Sequence, residues 1–216
     1  MTPDYNKAAA KAAETLIRHG VKTAPVSPIA ILEGMDNVIL SSYSDLCGSQ
    51  ETNPFSLKQL FGKYRGAMSS VHTGNGKTWY VVLYNNLLPT TMVQQALARE
   101  LGHIVLRHQE SSEENNAEAV CFAQHLLCPR PLIQTIRETG MRLTTDVLAN
   151  LTGVFHQRLT CIRHTPGTSV PAAVNRFLRG QFMPFVMNFF EYYATAVPED
   201  GSGLADFGTY MDLYEE

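Results

Sequence analysis

No stretch of this chain approaches the run of ~20 apolar residues that a membrane-spanning helix needs. Its start, Met1-Thr2-Pro3-Asp4-Tyr5-Asn6-Lys7, lacks the apolar core of an export signal, which predicts a cytoplasmic protein with no membrane partner. Cysteine is scarce: Cys47, Cys121, Cys128 and Cys161 show no zinc-finger or CxxC spacing. On a shared helix Cys121 and Cys128 stand two turns apart, about 10 Å by helix rise, too far to bridge. All four read as buried thiols. With 17% charged and 44% hydrophobic residues, the composition is that of an ordinary soluble globular protein.

Basic residues are missing from Pro198 to Glu216, where six acids stand: Glu199, Asp200, Asp206, Asp212, Glu215 and Glu216. Taking those six from the 20 acids leaves 14 against 17 basic residues, so a body of charge +3 carries an acidic end and the whole chain is −3. The plain reading is a solvated acidic tail over residues 198–216; the alternative is a regulatory or partner-binding one.

What is present reads as α+β, a small antiparallel sheet packed on helices with a helical C-terminal part. At 216 residues there is room for one large domain or two small ones. An Ala-rich helix begins after Thr2-Pro3 and ends at Gly20, with Ala9, Ala12, Ala13, Leu16 and Ile17 at helical spacing. Val38 to Leu40 reads as a strand, and Phe55 to Tyr64 as a short helix. Ala67–His72 and Trp79–Tyr84 read as two strands of a hairpin turned at Asn75-Gly76. From Thr90 to about His108 the period becomes helical. Ser111-Ser112-Glu113-Glu114 caps a second helix, which Pro129 stops. Beyond Pro131 the pattern is all helical: Leu132–Glu138, Thr145–Thr152, Val154–Arg163, then a helix from Pro171 through Leu178. An aromatic stretch around Phe182, Phe185, Phe189, Phe190, Tyr192 and Tyr193 follows and is expected to pack on the body. These elements divide as 1–130, an α+β domain; 131–197, a helical region; and 198–216, the tail.

The chemistry concentrates in Arg99-Glu100-Leu101-Gly102-His103. In a His-Glu-x-x-His helix two imidazoles lie one turn apart to bind zinc and the carboxylate between them serves as general base. Here Glu100 and His103 keep their places, while Arg99 takes the first ligand position. A guanidinium stays protonated and has no lone pair for a metal. Glu100 falls about 20° from Val93, in the middle of the apolar stripe Val93, Ala96, Leu97, Leu101, Ile104 and Val105. A carboxylate so placed needs a cation or hydrogen-bond donors. The plain reading is a buried ion pair with Arg99 or Arg107.

On the second helix Glu118 again interrupts an apolar segment, and His125, seven residues on, points the same way. Two neighbouring helices, each with one acid in its apolar face and a His beside it, make a metal-ligand constellation. The plain alternative for His125 is a core histidine. His72, His108, His156 and His164 have no comparable partner.

These pieces, in this order, resemble the ImmA/IrrE family of metallo-endopeptidases, with a zincin-like body over residues 1–130. The matching segments are Tyr80-Val81-Val82-Leu83-Tyr84-Asn85, Pro89, Arg99-Glu100-Leu101-Gly102-His103, Glu118-Ala119-Val120-Cys121-Phe122-Ala123 and Leu126-Leu127-Cys128-Pro129. The resemblance implies His103 and Glu118 as zinc ligands and Glu100 as the base acting on metal-bound water. It implies an uncovered edge strand, with Trp79–Tyr84 as the candidate, beside which an extended peptide could lie. It also implies a protein substrate or partner of the helix-turn-helix repressor kind. Arg99 departs from the pattern. Three arrangements then remain: another side chain completes the zinc shell, His125 first and Cys121 second; Arg99 stands in for the cation and pairs with Glu118 or Glu100; or zinc binds weakly. The function is thus a zinc-dependent endopeptidase if the altered site holds metal, or a catalytically inactive relative that binds a repressor or DNA.

DNA contact rests on a helix-turn-helix-like spacing, Ala149, Gly153 and Leu159, with Arg142, Arg158, Arg163 and His164 beside it. A DNA-binding face usually carries a denser basic patch, so a helical hairpin packed on the core is favoured.

Overall fold

The computed structural model describes residues 2–50, 66–110, 112–140, 144–153 and 168–196. The elements in chain order are α1 (Tyr5–Arg18), α2 (Pro28–Glu33), β1 (Val38–Ser42), α3 (Tyr43–Gln50), β2 (Ala67–Gly74) and β3 (Lys77–Tyr84). They continue with α4 (Thr90–Leu106), α5 (Glu113–Leu127), α6 (Arg130–Glu138), α7 (Thr145–Thr152) and α8 (Ala172–Ala196). The expected helices at Phe55–Tyr64 and Val154–Arg163 lie outside the described residues, as do Arg142, His156, Arg158, Leu159, Cys161, Arg163, His164 and the acidic tail.

The contacts divide the chain into two compact units: Met1–Asp4 with Ser27–Ala123, and Tyr5–Val26 with Gln124–Glu216. The first unit holds the sheet. Asn75 and Gly76, at φ 50° and 71°, make the two-residue turn that the right-handed strand twist favours. β2 and β3 therefore pair antiparallel, Gly74 opposite Lys77 and Ala67 opposite Tyr84. β1 pairs with β3 in parallel, Val38 opposite Tyr80 and Ser42 opposite Tyr84.

The α+β class stands, but the sheet is mixed and its order is β1-β3-β2. This corrects two expectations. The sheet is not wholly antiparallel, because the chain leaves β1 through α3 and returns to the far side of β3. For the same reason Trp79–Tyr84 lies in the central strand; among the described residues the edges are β1 and β2. Alternation along the strands sends Ala67, Tyr80 and Val82 to the face against α4, where all three are buried. Ser69, opposite Val82, points to that same face.

The second unit is helical. α1 buries Ala8, Ala9, Ala12, Ala13 and Leu16 and packs against α8. The Gln181 amide reinforces this contact by donating to the Val21 carbonyl at 2.5 Å. α6 opens with Pro131 in its first turn, where the missing N–H costs nothing, and turns Leu132, Ile133 and Ile136 inward against α8. Arg179 of α8 pairs with the Glu138 carboxylate.

α8 does not end near Leu178. It runs on through Pro184 to Ala196. Leu178, Phe182 and Val186 recur at four-residue spacing and are all fully buried, so packing outweighs the roughly 3 kcal/mol penalty of an interior proline. Phe182 thus packs inward as expected. Cys47, Cys121 and Cys128 are buried thiols that form no disulfide among the described residues. Among the described residues no helix is long and apolar enough to cross a membrane.

Candidate functional site

The site is built in the first unit from β2, α4 and α5. α4 buries Val93, Leu97, Leu101 and Ile104, and the same stripe carries Glu100 to 4% exposure. Both oxygens of that carboxylate are engaged. Arg99 Nη2 donates to Oε1 at 2.6 Å, and Ser69 Oγ of β2 donates to Oε2 at 2.6 Å. Adjacent residues diverge by about 100° on a helix, so Arg99 reaches its neighbour from the rim and stays partly exposed.

The end of α4 sets the second half. Arg107 adopts the left-handed conformation at φ 60°, its N–H bonding to the Ile104 carbonyl at 3.1 Å. The N–H of His108 then bonds to the His103 carbonyl at 3.0 Å. This pair of bonds is a Schellman termination, which folds the residue after the left-handed one back onto the last helical turn. Here it lays His108 on His103, their Nδ1 atoms 3.0 Å apart and the rings edge-on.

His108 Nε2 lies 3.2 Å from Glu118 Oε2, and the other oxygen, Oε1, accepts the backbone N–H of Asp4 at 2.8 Å. α5 starts where Ser112 Oγ accepts the Asn115 N–H, and it comes unusually close to α4. A Cβ on Gly102 would lie 3.0 Å from the Ala119 carbonyl oxygen and 3.1 Å from its Cα, so a side chain here would press the two helices apart.

The hydrogen-bond order fixes proton positions. A carboxylate only accepts, so His108 donates from Nε2; in the neutral ring its Nδ1 then accepts from Nδ1 of His103. The lone pair of the neutral His103 ring then falls on Nε2, and the Asn116 side chain also hydrogen-bonds to this ring. Burial, with help from His108 and Arg99 and against the pull of Glu100, holds His103 below the ordinary imidazole pKa. Ser69, Arg99, Glu100, His103, His108 and Asn116 are among the walls of a cavity of about 390 Å³, which opens along β2.

The sequence of this region has a counterpart among known families. The family model of the IrrE N-terminal-like domain, Peptidase_M78, matches residues 57–159. This segment belongs to the ImmA/IrrE family. No curated protein and no solved structure matches the chain.

An ImmA/IrrE domain has a metallopeptidase fold, so its donor set is tested against zinc. A catalytic zinc takes three protein ligands and one water. Here the first ligand position is a guanidinium already committed to Glu100. His103 and Glu118 are both turned to His108. Among the described residues, no group of three or more His, Cys, Asp or Glu side chains is arranged to hold a metal. The arrangement does not fit a resident zinc.

His125 has a different partner. Its Nε2 lies 3.1 Å from Thr168 Oγ1 in the second unit, and Arg130 Nη1 donates to the Thr168 carbonyl at 2.8 Å. Burial, and then Arg130, lower its pKa to about 4. Cys121 is buried in α5 at 2% exposure. His108, passed over in the sequence because it lies past the end of α4, is the residue that links His103 to Glu118. The signal was available in the five-residue step from His103, the distance a Schellman turn closes. His72, the one histidine of β2, meets the exposed Ser70 hydroxyl at 3.0 Å.

Proposed function

We propose that this chain works in the cytoplasm as a peptide-binding ImmA/IrrE protein that holds a regulatory partner of the repressor type without zinc-dependent cleavage. The observation that carries this is the Arg99–Glu100 pair. The carboxylate that would act as general base is bonded to a guanidinium on one oxygen and a hydroxyl on the other. A base so paired is poorly placed to take a proton from water.

Binding is supported by β2, an edge strand among the described residues and beside the cavity, whose outer backbone groups suit an extended segment added as a further strand. The zinc-endopeptidase reading is favoured by the family match alone. Arg142, Arg158, Arg163 and His164, which would carry DNA contact, lie outside the described residues.

The test is a tiled peptide array of helix-turn-helix repressor sequences, probed with the purified protein. Bound peptides are then incubated with it, with and without added zinc, and products are read by mass spectrometry. Saturable binding with peptides left whole supports the proposal. Zinc-dependent cleavage that Glu100→Gln abolishes would overturn it in favour of the enzyme.

A further inference from the structure

We propose that the outward face of α8 is a self-association surface, on which a second copy of this chain lays its own α8 antiparallel. The helix has two unlike sides. Leu178, Phe182 and Val186 form the inner one and are fully buried. On the opposite side Phe177, Met183 and Met187 are 58%, 39% and 43% exposed, among the largest exposed apolar side chains of the described residues. Gly180 and Pro184 are exposed between them. At 100° per residue these five fall in one stripe centred on Gly180. Apolar residues gathered on one exposed helix stripe mark an interaction surface, unlike singly scattered ones.

The order of residues along the stripe points to a second copy as the occupant. Arg176 stands at one end and Glu191 at the other, both exposed. Two such helices laid parallel would set Arg176 beside Arg176 and Glu191 beside Glu191. Turned antiparallel about a two-fold axis near Met183 and Pro184, each Arg176 meets the Glu191 of the other copy. The same axis sets Gly180 against Met187 and Phe177 against Phe190. Nothing lies within 4 Å of where a Cβ of Gly180 would be, so this glycine leaves a hollow for the methionine that faces it.

Pro184 has no N–H to give the Gly180 carbonyl, which leaves a backbone acceptor free of its helical donor at the middle of the stripe. A surface complementary to itself in shape and charge under one two-fold rotation is what an isologous dimer requires. Antiparallel helix dipoles favour the same direction. Paired over its 25 residues the helix offers about 37 Å of contact length.

The test is sedimentation equilibrium on the full chain from about 1 to 100 μM. The expected result is a monomer–dimer equilibrium that Met187→Glu weakens at least about tenfold, with helical circular dichroism unchanged. Phe177→Ser, at the most exposed apolar side chain of the stripe, is the second disruptive variant. Arg176→Glu and Glu191→Arg should each weaken the dimer, and the two together should restore it. A monomer at every concentration would overturn the proposal and leave the face to a different protein. A dimer indifferent to Met187→Glu and Phe177→Ser would place the interface elsewhere. Failure of the double reversal to recover association would sink the antiparallel pairing.

Discussion

His103 and His108 meet through their Nδ1 atoms at 3.0 Å, and a single left-handed residue between them, Arg107, makes the meeting happen. A non-glycine residue in that conformation costs roughly 1–2 kcal/mol. Arg107→Gly is therefore expected to stabilise the protein by up to about 1 kcal/mol, part of the gain being lost to unfolded-state entropy. Arg107→Val should destabilise it by about 1–2 kcal/mol. Urea midpoints decide, and a Val variant as stable as the parent would mean that the helix end does not need this turn.

Removing the guanidinium takes one of the two hydrogen bonds from the buried Glu100 carboxylate and leaves the one from Ser69. Arg99→Met is expected to cost about 1–3 kcal/mol, below the full cost of breaking a buried pair because Arg99 is partly exposed. Glu100→Gln in the same protein should return most of that loss. A double-mutant cycle in urea measures the coupling, and additivity of the two changes would show that the pair contributes nothing.

Much of this site is legible in the sequence because burial and periodicity are local properties. Glu100 sits where the apolar stripe of α4 predicts it, and its partner is Arg99, one of the two the sequence offered. Asn75-Gly76 names its own turn. The rest depends on what sequence spacing does not carry. The central position of β3 follows from a parallel pairing with β1, which only the route of the chain through α3 determines. His108 is placed by a helix end, beyond the period that defines the helix. His125 finds Thr168, 43 residues away, and no pattern along α5 announces it. The last helix reads as ending at Leu178, yet burial of Phe182 and Val186 carries α8 on through Pro184.

Arg99→His places an imidazole four residues before His103 and rebuilds the zinc-binding pair on α4. The expected outcome is retention of about one zinc per chain after dialysis, against less than about a tenth for the parent protein. Metal analysis by mass spectrometry reads it directly. A variant that gains no zinc would show that Arg99 is not what excludes the metal, and would shift that role to the chain His103–His108–Glu118.

Gly102 is a spacer between α4 and α5. Its added methyl in Gly102→Ala would press on the Ala119 backbone at 3.0 and 3.1 Å and on Phe122 at 3.1 Å. Backbone cannot rotate away as a side chain can, so the helices must part. The gain in helix propensity, about 1 kcal/mol, opposes a packing cost of about 1–3 kcal/mol. Net destabilisation is expected, and with it a looser hold of Glu118 on His108. Histidine NMR checks the second point: unchanged ring shifts of His103 and His108 would mean that the helix spacing does not govern the site.

His125 makes the protein acid-sensitive. Its pKa falls from 6.5 to about 4 because burial, and then Arg130, oppose the charged ring. Between those values the unfolded chain binds a proton that the folded one refuses, so stability drops as pH is lowered from about 6.5 to 4 and levels off below. The stability is complete above 6.5. The depression corresponds to about 3 kcal/mol lost across that window. Other groups titrate there too, so the measurement is a difference: urea stability at pH about 7 and about 4.5, in the parent and in His125→Gln, which keeps a polar group near Thr168 without a titrating ring. The variant should lose less stability on acidification than the parent, by about 2–3 kcal/mol. Equal losses in the two proteins would show that His125 is not held neutral in the folded state.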